Sequence, residues 1–325
     1  MNSRNQPKLA IIVPCYNEAE VLPHSIPILL DTLKRMIQDH LISDESFLCF
    51  NNNGSGDQTW AIIKSFHQQH PNHIRGICLS RNWGHQSSLM SALYTLEADC
   101  YVTIDADLQD DETAIADMVQ SYLDGHDIVY GVRRERSTDT WFKRNTAQAF
   151  YKLMNLMGTK TIYNHADYRL MSRRAVQELR QYPESNVFLR GLVTELGFPT
   201  AQVYYDRKQR EAGESKYPLT HMLRLAWTGI TSFSNTPLKL SLILGLLTCA
   251  FSIFMLLYCL WYWMQGDTVA GWTSMAMLVS FFSGLQMLLL GIIGEYIGKI
   301  FTETKRRPQF IIQETLFETK HSEQQ

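Results

Sequence analysis

Charge is what one stretch of this 325-residue sequence lacks: from Leu240 to Gly294, Asp267 is the only Asp, Glu, Lys or Arg. A segment so empty of charge makes a poor solvated surface. It divides into "LSLILGLLTCAFSIFMLLYCLWYWM" (240–264) and "WTSMAMLVSFFSGLQMLLLGIIG" (272–294), joined by "QGDTVAG". At about 1.5 Å of rise per residue, each can cross a hydrocarbon core of roughly 30 Å. Helices this long and apolar on every side have no wet face to offer a soluble core, so a transmembrane hairpin is expected. Trp261, Tyr262, Trp263 and Trp272 fit an interfacial aromatic belt at its turn.

Other absences narrow the class. Cys15, Cys49, Cys78, Cys100, Cys249 and Cys259 include no CxxC pair, so neither a zinc site nor a disulfide framework is expected. Residues 1–8 are polar and the following "LAIIV" is too short for a signal peptide. Neither sign of charge prevails, with 30 Lys and Arg against 32 Asp and Glu, which argues against a nucleic-acid partner. The linking loop has no Lys or Arg, whereas Lys239, Lys299 and "KRR" (305–307) flank the spans. The positive-inside rule then puts both termini and the N-terminal bulk in the cytoplasm.

What is present before the spans is an alternation. Short apolar runs at 8–14, 46–51, 74–80, 100–105 and 127–131 are separated by segments of helical spacing at 21–39, 58–70, 86–97 and 112–124. This predicts an α/β domain with a mostly parallel, Rossmann-like sheet covered on both faces, its ligands bound beyond the carboxyl ends of the strands. A helix near 141–157 and a short "DYRLM" (167–171) follow. The expected organisation is a cytosolic domain over 1–216, an amphipathic juxtamembrane helix over 217–236, the two spans within 237–298, and a cytosolic tail over 299–325, disordered after about Leu316. Gly284, Gly291, Gly294 and Gly298 suit close helix contact, within the hairpin or between copies in a homo-oligomer.

The run "TIDADLQDDE" (103–112) concentrates acid at a strand end. In an extended backbone Asp105 and Asp107 point to one side, with Gln109 two residues on. Paired carboxylates repel, and a hard divalent cation, Mg²⁺ or Mn²⁺, relieves that repulsion while keeping positions open for substrate phosphates. Asp110 and Asp111 suit capping of the next helix. Arginine-rich runs at 131–136, 169–174 and 207–216 supply groups that match phosphate oxygens. Acid, metal and arginine together suggest a donor bearing a pyrophosphate.

With these residues in place, "IIVPCYNEAEVL", "NNNGSGDQT", "LSRNWGHQSSL", "IDADLQDD", "ADYRLMSR", "RKQREAGESKY" and "EYIGKIFTETKRRP" resemble, in order and spacing, the polyprenyl-phosphate glycosyltransferases of glycosyltransferase family 2. The resemblance spans roughly residues 8–310. It implies a GT-A fold and inverting transfer of a hexose from a nucleotide diphosphate sugar to a polyprenyl phosphate at the bacterial inner membrane. By matching motif, Pro14, Tyr16, Glu18, Asn53, Ser55, Asp57, Arg81 and Asp105 would bind the nucleotide sugar. Asp105, Asp107 and Gln109 would hold the metal, Asp107 and Asp167 would be catalytic, and Arg169, Arg207, Arg210, Ser215 and Lys216 would bind acceptor or diphosphate. The sequence departs from the family where Asn52 and Asn53 replace an acidic pair, where His85 stands at a common lysine position, and where Ala166 replaces a glycine.

UDP-glucose or UDP-N-acetylglucosamine is the expected donor, with GDP-mannose next. A phosphate acceptor is largely ionised at pH 7, so Asp167 acts either as a base or as a positioning acid. The alternatives are a processive polysaccharide synthase, against which stands the lack of a QxxRW motif, and a non-catalytic membrane scaffold, against which stands the intact "DADLQ".

Overall fold

A computed structural model of the chain describes residues 6–134, 165–182, 184, 189–206, 236–265 and 271–318. It divides into two compact units, one formed by Met1–Gln148, Lys160–Lys216 and Pro308–Gln325, the other by Ala149–Thr159 and Tyr217–Arg307.

The first unit is built on an eight-stranded sheet. Its strands are β1 (Leu9–Cys15), β2 (Phe47–Asn52), β3 (Ile74–Leu79), β4 (Cys100–Thr103), β5 (Ile128–Arg133), β6 (His165–Ser172), β7 (Thr200–Tyr205) and β8 (Ile312–Thr315), in the order β7-β5-β6-β4-β1-β2-β3-β8. The helices are α1 (Leu22–Gln38), α2 (Thr59–Gln69), α3 (His85–Thr95), α4 (Ala114–Leu123), α5 (Arg173–Leu179) and α6 (Leu189–Glu195). β1 and β2 are enclosed on both faces, which is why they read as unbroken apolar runs and not as alternations. α1 turns Leu22, Ile26, Leu29 and Leu33 at steps of three and four into that core. Burying each contributes about 1.5–3 kcal/mol before the entropy of ordering is subtracted.

Two strands depart from the simple alternation, and both matter for the site. β6 runs antiparallel between β4 and β5, so its beginning lies level with the end of β4, and Thr103 stands opposite Arg169. The second departure corrects the expected C-terminal tail over 299–325, because Ile312–Thr315 is a strand paired antiparallel with β3.

The second unit contains α7 (Thr236–Met264) and α8 (Trp272–Thr304). Windows long and apolar enough to cross a membrane lie at Thr236–Met255, mean hydropathy 2.1, and at Phe281–Thr304, mean hydropathy 1.4. Apart from Pro237, no residue of either window is buried within the protein, so side chains such as Leu242, Phe254, Phe281 and Met287 need an apolar surrounding. Phe251 and Phe282, with ring centroids 6.0 Å apart, join the two helices. Gly284, Gly291, Gly294 and Gly298 do not form that joint: a methyl group at any of them would meet nothing within 4 Å among the described residues. The helix expected near 141–157 and the amphipathic segment over 217–235 lie outside the described residues.

Candidate active site

The loops after β1, β2 and β3 hold one another at the carboxyl edge of the sheet. Beyond Cys15, Asn17 adopts φ of +55°, its N–H donates to Ser55 Oγ at 3.0 Å, and its Oδ1 accepts from the Gly56 N–H at 3.0 Å. The Glu18 N–H donates to Thr59 Oγ1 at 2.9 Å and the Ala19 N–H to Asp57 Oδ2 at 3.2 Å. Burial raises the Asp57 pKa, but the bonds from Thr59 and Ala19 together outweigh it and hold this carboxyl below its ordinary range. Ser55 and Asp57, expected on the nucleotide, are therefore also the fasteners of the β1 loop. Pro14 pairs with Asn51 one residue before the end of β1, and Tyr16, the first residue beyond the strand, is 47% exposed.

Asn52 and Asn53 are buried. The Asn53 Oδ1 accepts from the Trp83 N–H at 2.9 Å while its Nδ2 donates to Asn82 Oδ1 at 3.2 Å, and Asn52 likewise accepts from the Ser55 N–H and donates to Cys78 Sγ, both at 3.2 Å. Carboxylates could accept but not donate here, and would be costly to bury. The amide of Asn53, expected to contact the nucleotide, is thus engaged within the protein. Gly54 (φ +67°) makes the junction possible, since a Cβ there would fall 2.3 Å from the carbonyl carbon of Arg81. Arg81 in turn lays its guanidinium 3.6 Å over the ring of Trp83.

The acidic run leaves the sheet sooner than expected. β4 stops at Thr103, and Asp105–Leu108 forms a turn whose last residue has φ of +47°. Turn geometry, not extended alternation, brings Asp105 and Asp107 together. Asp107 Oδ1 accepts from the Gln109 N–H at 3.3 Å, and Gln109 is buried. Asp111 does cap the next turn, accepting from the Thr113 N–H and hydroxyl, but Asp110 does not. Its Oδ1 instead accepts from Arg133 Nε and Nη2, at 3.1 and 2.9 Å, and from the Tyr205 hydroxyl at 2.7 Å, which ties the turn to the ends of β5 and β7.

Because β6 is antiparallel, Asp167 arrives beside that turn, its carbonyl accepting from the Thr103 hydroxyl. Its carboxylate accepts from Arg169 Nη2 at 2.6 Å and, through both oxygens, from Arg190 Nε and Nη2 at 3.1 Å. His85 Nε2, at the start of α3, lies 3.5 Å away. Burial raises the Asp167 pKa, but the His85 contact and the two guanidiniums outweigh it and hold this carboxyl well below the ordinary range. Burial disfavours the His85 imidazolium, and the carboxylates of Asp167 and Asp105 outweigh that and raise its pKa.

Residues 10–180 match the family described as Glycosyl transferase family 2. The chain belongs to glycosyltransferase family 2. The Bacillus subtilis (strain 168) glycosyltransferase YkoT is 46% identical over 316 residues, covering 97% of this glycosyltransferase and 94% of YkoT. The bactoprenol glucosyl transferase of Shigella phage SfX is 36% identical over 310 residues, covering 94% and 98%. Among solved structures, a mannosyltransferase from Pyrobaculum calidifontis in complex with GDP-Man and Mn²⁺ aligns with a TM-score of 0.45 at 15% identity, covering 90% and 88%. The protein is accordingly a glycosyltransferase with a mostly parallel GT-A sheet followed by two apolar helices.

The donor atoms in this family 2 site fit a hard cation. Among the described residues no hydrogen-bond donor sits on the Asp105 carboxylate, whose pKa is raised by burial, in opposition to His85, and by Asp110, Asp167 and Asp107 around it. An enclosed carboxylate among other carboxylates is the setting a divalent ion with oxygen ligands relieves. Among the described residues no three His, Cys, Asp or Glu side chains surround one point closely enough to enclose an ion by themselves. Asp105 and Asp107 would supply part of the shell, with diphosphate oxygens and water completing it.

Two expectations for the glycosyltransferase change. Arg169, expected on a phosphate, is 1% exposed and spends its guanidinium on Asp167 and on the Leu189 carbonyl at 3.4 Å. The guanidinium that reaches the surface of the site is that of Arg190, 34% exposed, a residue the motif reading did not single out. Arg207, Arg210, Ser215 and Lys216 lie outside the described residues.

Proposed function

We propose that this enzyme transfers a hexose, with inversion, from a nucleotide diphosphate sugar to a polyprenyl phosphate, UDP-glucose being the first donor to test and undecaprenyl phosphate the acceptor. The observation that carries the reading is similarity to bactoprenol glucosyl transferase over 94% of the chain, apolar helices included, together with an intact acidic turn at the strand edge. A lipid acceptor and a pair of helices of membrane-crossing length belong together, because the lipid tail stays in the bilayer.

In this reading Tyr16, Arg81 and the β2 loop receive the nucleotide, and Asp105 and Asp107 hold Mg²⁺ or Mn²⁺. The cation, when bound, supplies positive charge to the departing diphosphate. The acceptor's phosphate, its second pKa near 6, attacks without first losing a proton to the protein. Asp167 is suited to positioning, not to proton removal, because a carboxylate held so far below its ordinary pKa is a weak base. It orients Arg190 toward the reacting phosphates, while Arg207, Arg210, Ser215 and Lys216 serve the acceptor.

The return of β8 to the sheet that precedes α7 supports both ends of the hairpin being on one side of the membrane. Lys239, Lys299 and Lys305–Arg307 support that side being the cytoplasm. The test is lipid-linked sugar formation by the detergent-purified protein, with undecaprenyl phosphate, Mn²⁺ and a panel of radiolabelled nucleotide sugars. Transfer from one donor, lost in Asp107→Ala, is expected; folded protein that transfers from none would overturn the proposal.

A further inference from the structure

β8 carries none of the residues assigned to the reaction, yet its fixings run to the elements that present the donor-side loops. In its ladder with β3, Ile77 faces Thr315, Cys78 faces Glu314 and Leu79 faces Ile312. The ladder extends past both ends, with the Ser80 N–H donating to the Ile311 carbonyl at 3.0 Å and the Leu316 N–H to the Gly76 carbonyl at 2.8 Å. A register shift lies between Cys78 and Leu79, and such shifts re-aim the residues that follow, here Ser80–Trp83. Glu314 reaches across to α2, accepting from Trp60 Nε1 at 3.0 Å and pairing with Lys64 at 2.7 Å. α2 begins at Thr59, whose hydroxyl receives the Glu18 N–H and whose own N–H donates to Asp57. Leu316 closes over Gly76, where a Cβ would lie 2.7 Å from its Cδ1.

We infer that Ile311–Leu316 is a positioning strand: by clamping β3 and α2 together it sets the Ser80–Trp83 and Asn52–Asp57 loops in their donor-binding arrangement. Only residues 305–310 separate it from the end of α8, so the apolar helix and the donor loops are joined by a short tether. The chain of contact is continuous. Ser80 leads to Asn82 and Trp83, which bond Asn53, and Gly54 packs against the backbone of Arg81. Unseating the strand exposes the β3 edge, removes the Glu314 link and frees the loop that follows β3. The inference rests on the reading of these loops as the nucleotide side.

The test uses the full-length protein in detergent, its Glu314→Ala variant, and a chain stopped after Arg307 that retains α7 and α8. Amide hydrogen exchange over Ser80–Trp83 is expected to speed up roughly tenfold in both, with β1 unchanged, as for a locally released segment. The KM for UDP-glucose should rise roughly three- to tenfold while that for undecaprenyl phosphate holds, since the released loops face the donor. Unchanged exchange over Ser80–Trp83 in the shortened chain overturns the inference. If β1 also loses protection there, that chain is unfolded and Glu314→Ala decides by the same criterion. Exchange is read without substrate, so a wild type that uses no nucleotide sugar would sink the proposed function and leave the strand's role to the exchange result.

Discussion

The carboxylate of Asp167 meets the guanidinium of Arg190 edge to edge, Oδ1 against Nε and Oδ2 against Nη2, both at 3.1 Å. The fork fixes the plane of a half-exposed arginine at the margin of the acidic turn. Lysine cannot make it. Arg190→Lys should lower kcat/KM roughly 10–100-fold with little change in melting temperature; initial rates and thermal unfolding on the same preparation check this, and wild-type rates would remove Arg190 from the site.

Asp167 also holds a buried arginine. Its folded pKa lies below the unfolded value of about 3.9, so its charge contributes stability that is present above that pH and is lost as pH falls through the folded value. Asp167→Asn leaves Arg169 unpaired by carboxylate and should cost about 3–5 kcal/mol at pH 7. The gap from wild type should narrow below about pH 4. Urea unfolding at pH 7 and pH 3 measures both, and an equal gap at the two would contradict the account.

Asp105 has the opposite sign. Its folded pKa is raised, so ionisation destabilises the metal-free fold once pH exceeds the unfolded value. Asp105→Asn should therefore be more stable than wild type at pH 7 by about 1 kcal/mol while abolishing transfer. Mn²⁺ should raise the melting temperature of wild type and not of the variant. A less stable, still active variant would argue against a metal role for Asp105.

Asn53 tests the departure at residues 52 and 53. Asn53→Asp removes the donor to Asn82 Oδ1 and sets a carboxylate against it in a buried place. The expected loss is about 1–3 kcal/mol, with a higher KM for the nucleotide sugar because the β2 and β3 loops part. Wild-type stability would show that the amide's donating half is dispensable.

The first five strands, β1 to β5, were legible because doubly covered strands are apolar along most of their length, as in "LAIIVPC" and "FLCFNN". The acidic turn was legible for the converse reason, since carboxylates gathered at a strand end need a partner. Three features were not. The antiparallel direction of β6 depends on which strand it lies beside, and "DYRLM" contains nothing that encodes its neighbour. Arg190 sits in "FLRGL", one arginine among many, and acquires meaning only when β6 brings Asp167 to it. β8 is four residues, Ile312–Thr315, without an apolar run, and its partner strand lies far earlier in the chain. The role of Asp110 was misread because a helix cap and a guanidinium partner call for the same side chain.

Strand order also sets a sequence of events during synthesis. β3 is complete at Leu79, but the strand that covers its outer edge is not made until residue 312, after both apolar helices have been synthesised. Until then the backbone N–H and C=O groups along that edge stand open to any extended chain nearby. In the proposed membrane-spanning reading the helices therefore precede the sealing of the sheet, and a nascent chain delayed at the bilayer waits with that edge uncovered.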